Sequence, residues 1–183
     1  MKKENIFRNL KFVFFFTALI SGSSLMAQTS SKDKKIIADS KEAKAEFIRV
    51  DGQMSSLFAN AYGYAIFPNV GKGGVGIGGA AGNGTVFQGG NVIGKAKLTQ
   101  VSIGFQWGGQ AYREVLFFES KADLDRFKQD KIEFSGQASA VAATAGASAN
   151  VKYANGVMIF TQIKGGLMYE ASIGGQKFKY SSF

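Results

Sequence analysis

This chain of 183 residues contains no cysteine and no histidine. The first absence excludes disulfides, thiolate nucleophiles and cysteine metal sites. The second excludes Ser-His-Asp catalysis, the commonest zinc ligands and the usual proton shuttle near neutral pH. Only one proline is present, Pro68, and acidic residues are missing from two long tracts, Gly52 to Arg113 and Phe134 to Tyr169. Lysines and arginines do fall in those tracts: Lys72, Lys95, Lys97, Arg113, Lys152 and Lys164. If the two tracts pair in one sheet, part of the surface carries positive charge with little to repel an anion. Taken singly, each lysine is also explained by solubility.

Hydrophobic residues make up 45% and charged residues 19% of the chain, the balance of a globular domain with a true core. Lys2, Lys3, Arg8 and Lys11 precede an apolar run, Phe12–Ile20, and small residues up to Ala27. That order reads as a secretory signal peptide over residues 1–27. The formal charge of +9 falls to +6 when its four basic groups and one acid are removed. The expectation is an exported protein, of the periplasm or cell envelope or else secreted, with a polar leader at 28–33 and a single domain at 34–183.

From Lys34 the pattern is helical: Ile36, Ser40, Ala43, Phe47, Val50, Met54, Leu57 and Ala61 recur at spacings of three and four. Asp51-Gly52 interrupts the stripe, and Asp51 is expected to cap a second short helix. The polar face carries Lys41 and Lys44 among mixed charges. Such a face is either solvated over a core stripe or laid on a membrane.

The densest glycine run, Ala61–Gly84, reads as a β platform. Pro68 pushes Phe67 out of the α region, so Tyr62–Phe67 is expected to be extended and to end at a turn through Asn69. Asn83-Gly84 predicts a hairpin. Further turns are marked at Gly89-Gly90-Asn91, Gly108-Gly109, Asn155-Gly156, Gly165-Gly166 and Gly174-Gly175. Val115–Phe118 is apolar on both faces and is expected at the centre of a sheet. Ser120 opens a helix over Lys121–Lys128 with Leu124 and Phe127 inward. The small-residue tract Ser135–Asn150 reads as close-packed strand, and Val157–Ile163, Leu167–Ile173 and Lys177–Tyr180 complete a meander. The fold class is therefore α+β: an N-terminal helix or helix pair on a curved, mainly antiparallel sheet (meander or partial barrel), with one inserted helix.

Gly71-Lys72-Gly73-Gly74 fails as a nucleotide loop, because no Ser or Thr follows the lysine and no helix follows the glycines. A carboxylate hydrolase would need Glu114 and Glu170, the acids inside predicted strands, for which outward-facing positions are the simpler account. Nucleic-acid binding fits the isoelectric point of about 9.7 but not export or the scattered basic residues. An outer-membrane barrel is opposed by the C-terminal phase, where Ser181, Lys179, Lys177 and Gly175 alternate back from Phe183.

Ala61–Val70, Gly73-Gly74 and Gly78-Gly79, then Gly82–Val86, Gly104–Gln110, Val115–Phe118 and Lys164–Met168 together resemble successive blocks of the SYLF lipid-binding domain. The resemblance covers Lys34 to Tyr180. It implies a non-enzymatic domain that binds anionic phospholipid at a membrane surface, without cofactor, metal or nucleic acid and with protein partners unspecified. The residues it points to are Lys72 and Lys164 beside glycine turns, then Lys41 and Lys44. The N–H groups of Gly71, Gly73 and Gly74 are expected to help hold an oxyanion. The rival class is an envelope structural protein, either a barrel or a scaffold.

Overall fold

A computed structural model describes residues 31–73, 77–103, 110–132, 134, 139–164 and 171–183. Contacts divide the chain into two units at the 35/36 boundary, and the second, Ile36–Phe183, contains the sheet. Helix α1 spans 31–50, and α2 follows at Met54–Asn60. Eight strands follow: β1 (Gly63–Gly73), β2 (Ile77–Gln88), β3 (Asn91–Ile103), β4 (Gln110–Phe118), β5 (Ser139–Ala142), β6 (Val157–Ile163), β7 (Ala171–Ser172) and β8 (Gln176–Ser182). Helix α3 (Lys121–Lys128) lies between β4 and β5. The strand order is β7-β5-β6-β4-β1-β2-β3-β8, antiparallel except for β5 beside β6. This is the expected α+β class with an open sheet.

The closing segments do not form a meander. β8 leaves β6 and β7 and pairs with β3 at the far edge. The sheet then curls so that the inward side chains of β8 meet those of β1 and β4. Phe178 of β8 meets Phe67 of β1 at 5.8 Å between ring centroids, and Gln176 of β8 bonds Glu114 of β4 at 3.0 Å. Inside the curl lie Ala65, Phe67, Val70, Leu98, Leu116, Phe118 and Phe178, joined by Leu124 and Phe127 of α3. The outer face is half covered: Ala43, Phe47, Met54 and Phe58 of α1 and α2 pack on Tyr64, Ile66, Phe87, Val115, Phe117 and Phe160. The helical stripe read from the sequence is that contact.

Ser120 caps α3 as expected, with a reciprocal bond from its own N–H to Asp123. Asp51 does something else. It accepts from the Gln53 N–H at 3.1 Å and from the Ser148 N–H at 2.9 Å, tying the helix junction to the loop before β6, while Gln53 holds the cap position of α2.

Two turn readings fail, for one reason. β1 does not stop at Asn69; it runs through Pro68, with a bulge between Ile66 and Asn69 that absorbs the missing proline donor. Asn83-Gly84 is no hairpin but lies mid-strand in β2, opposite β1 and β3. A Cβ on Gly84 would collide with the Ile66 carbonyl and the Phe67 ring. That glycine permits a close approach at the bulge rather than a left-handed turn. The left-handed pair sits at Gly89 and Gly90, with φ of 54° and 80°, between β2 and β3. Asn155-Gly156 and Gly175 also turn with positive φ. Gly108-Gly109 and Gly165-Gly166 lie outside the described residues. So does most of the predicted strand Leu167–Ile173, and so does the signal peptide.

Candidate functional site

Strand alternation separates Lys72 from Lys164. Lys72 shares the phase of Val70, whose side chain is in the inner core. Partial burial there depresses its ammonium pKa. Lys164 continues β6, its N–H donating to the Ala111 carbonyl at 2.9 Å, and its ammonium bonds the Asn69 side chain. Asn69 is exposed, next to buried Val70. The two lysines thus belong to opposite faces and cannot share one headgroup. Gly71 pairs with both Ala81 and Ala111, and Gly73 with Gly79, so these glycines sit in the ladder rather than in an anion nest. Gly74 lies outside the described residues. Lys44 is tied inward: its Nζ donates to the Tyr64 hydroxyl at 3.1 Å and lies 4.9 Å from the Phe58 ring centroid. Lys41 is exposed on α1.

The structure gathers a different set. Along β3 the residues Ala96, Leu98 and Gln100 are buried, while Lys97, Thr99 and Val101 are exposed. Along β8, Gln176 and Phe178 are buried, and Lys177 and Lys179 are exposed. The register places Lys97 directly opposite Lys179, and Thr99 opposite Lys177. Directly paired residues share a face, with Cβ atoms about 4.5–5.5 Å apart. Lys97, Lys177 and Lys179 therefore form one cluster on the outer face, beyond the helices. Among the described strand positions that face outward, none is a carboxylate. Asp130, which bonds β8, accepts the Tyr180 N–H at 3.0 Å.

Two large apolar side chains are conspicuously exposed among the described residues, Val101 at 71% and Phe183 at 53%. They bracket the cluster. Val101 follows Lys97 and Thr99 on the same face of β3. Phe183 lies beyond β8, with the Lys95 ammonium 5.6 Å from its ring centroid. A like-charged pair directly across two strands is destabilising on its own, so this surface gains when an anion is brought to it. In the sequence, Lys177 and Lys179 stand out only as charges that break the apolar phase of a barrel strand. The missing signal was the β3–β8 pairing, which joins segments 80 residues apart.

Glu114 is not outward-facing. It is wholly buried inside the curl, where Gln176 Nε2 donates to its Oε2 at 3.0 Å and its Oε1 has no protein partner. Burial pushes its pKa up to about 7, against the lowering effect of the Gln176 bond. Tyr112, two residues before it, is likewise held above the ordinary phenol range by burial and by the Glu114 charge. Glu170 lies outside the described residues. No group of three or more possible metal ligands occurs among the described residues.

Residues 99–181 match the family model Ysc84, described as Las17-binding protein actin regulator. The chain is also 29% identical over 155 residues to beta cell expansion factor A of Aeromonas veronii. That match covers 78% of this chain and 56% of the relative, so the chain spans little more than half of that protein's length. The matched family segment contains β4, α3, β6 and Lys177 and Lys179 of β8, while Lys97 of β3 lies before it; the relative's match is longer, at 155 residues. Over residues 99–181 the chain is therefore similar to the Ysc84, or SYLF, family, the family that the blocks read from the sequence resemble.

Proposed function

We propose that this protein binds anionic phospholipid non-enzymatically, as an exported protein resting on an envelope membrane. The similarity to the SYLF family is compatible with lipid binding. The observation that carries the reading is the outward cluster of Lys97, Lys177 and Lys179 flanked by exposed Val101 and Phe183. Cations near an anionic surface contribute about 1 kcal/mol each, and an apolar side chain at either end can enter the interface. No helix among the described residues is long and apolar enough to cross a bilayer. Among the described residues the strand order is open, without the closed ladder on which a barrel depends.

The test is co-sedimentation with vesicles of phosphatidylcholine alone and with added phosphatidylglycerol. The protein is expected to pellet with the acidic vesicles, to be released as salt approaches 1 M, where the Debye length falls to about 3 Å, and to stay in solution with the neutral ones. Equal recovery with both compositions would remove the electrostatic basis of the reading.

A further inference from the structure

A second feature lies away from the lysine cluster. Between α3, the loop before β6, and β6 itself is a cavity of about 870 Å³, within the usual range for small-molecule sites. Its inner wall is apolar: Ile132, Val157, Ile159 and Ile173 contribute and are all buried. Among the described residues its charged lining is mainly basic, with Arg126, Lys131 and Lys152 against one carboxylate, Asp123. Asp123 is already engaged. It takes the Ser120 N–H and hydroxyl on one oxygen and Arg126 on the other, at 2.7 Å. Arg126 is fixed in turn, donating to the Asn155 carbonyl at 2.6 Å. Lys131 and Lys152 are exposed and bond no carboxylate among the described residues.

An apolar wall with cations at its edge matches one ligand chemistry. We infer that this cavity holds the chain of a single-tailed anionic amphiphile, such as a long-chain carboxylate, with its head between Lys131 and Lys152. The tail buries against Ile132, Val157, Ile159 and Ile173, and the head meets two ammonium groups that bond no carboxylate among the described residues. A cationic amphiphile would gain the same wall and meet repulsion at the rim. The free acid and a lysophospholipid share this chemistry, and both serve as ligands in the test.

The experiment is titration of the protein with cis-parinarate, followed by displacement with laurate, myristate, palmitate, lysophosphatidylglycerol and dodecyltrimethylammonium, each below its aggregation threshold. Saturable fluorescence enhancement is expected, with affinity rising roughly fourfold per methylene buried. The cationic competitor is expected to displace poorly. The Lys131→Gln/Lys152→Gln variant is expected to bind parinarate about tenfold more weakly, and Val151→Trp, on the half-buried lip, to block it. Preferential displacement by the lysophospholipid would identify the source as membrane lipid, and preference for palmitate would identify free acid. Either preference supports the site. No enhancement, equal displacement by dodecyltrimethylammonium, or unchanged binding by the double variant would overturn it. Glutamine at Lys97, Lys177 and Lys179 is expected to leave parinarate binding intact, so loss of vesicle binding and loss of this site are separately readable.

Discussion

Replacing Lys97, Lys177 and Lys179 together by glutamine is expected to weaken partition onto phosphatidylglycerol vesicles by roughly 100-fold. The figure follows from three cations at about 1 kcal/mol each beside an anionic surface and about 1.4 kcal/mol per tenfold. The fold is expected to tolerate the change. All three side chains are exposed, and Lys97 and Lys179 repel each other across the β3–β8 pair. Lys72→Gln is the informative control. Its side chain is on the inner face with Val70, and its loss is expected to leave vesicle partition unaltered. A large effect of Lys72→Gln beside a silent triple variant would move the binding surface to the inside of the curl.

The second large effect concerns stability. Glu114 is wholly buried, with a pKa near 7 in the folded chain against 4.5 when unperturbed. Below about pH 4.5 both states hold the proton, and Glu114 adds no pH dependence. Between pH 4.5 and 7 the folded state keeps a proton that the unfolded state releases, so stability falls as pH rises. Above 7 both states are ionised and the loss is complete. It amounts to about 3 kcal/mol, from that gap in pKa at about 1.4 kcal/mol per unit. Glu114→Gln removes the charge while retaining an acceptor for Gln176, and its amide can donate to the Gln176 oxygen, which has no protein partner. Urea unfolding at pH 8 is expected to show the variant about 3 kcal/mol more stable, with the difference vanishing near pH 4. A variant less stable than the parent at pH 8 would mean that the carboxylate is ionised and compensated in the native state.

What the sequence revealed, and what it hid, follows from the range of the interactions concerned. Helices α1 to α3 were legible because a stripe at Ile36, Ala43, Phe47 and Met54, or a cap at Ser120, is written within a few residues. The central position of β4 was legible from Val115–Phe118, since apolar residues on both faces require cover on both sides. Glycine was harder. Gly89-Gly90 and Asn83-Gly84 look equally like turns, yet only the first has left-handed backbone; Gly84 answers to the Pro68 bulge on a neighbouring strand. The candidate site was hidden for the same reason. Lys97 and Lys179 become neighbours only when β8 crosses to β3. Pairing Lys72 with Lys164 rests on the resemblance of their glycine-flanked blocks to the SYLF domain, which carries no information about which face a strand residue occupies.

The absence of cysteine makes the central claim open to direct measurement. Val101→Cys, labelled with an environment-sensitive fluorophore, places a reporter at one end of the lysine cluster. Ala122→Cys places another on the exposed side of α3. With phosphatidylglycerol vesicles the Val101 label is expected to shift to the blue and recover in high salt, while the Ala122 label stays unchanged. A Val101 label that remains in water while the protein sediments with the vesicles, or an Ala122 label that shifts equally, would contradict the account.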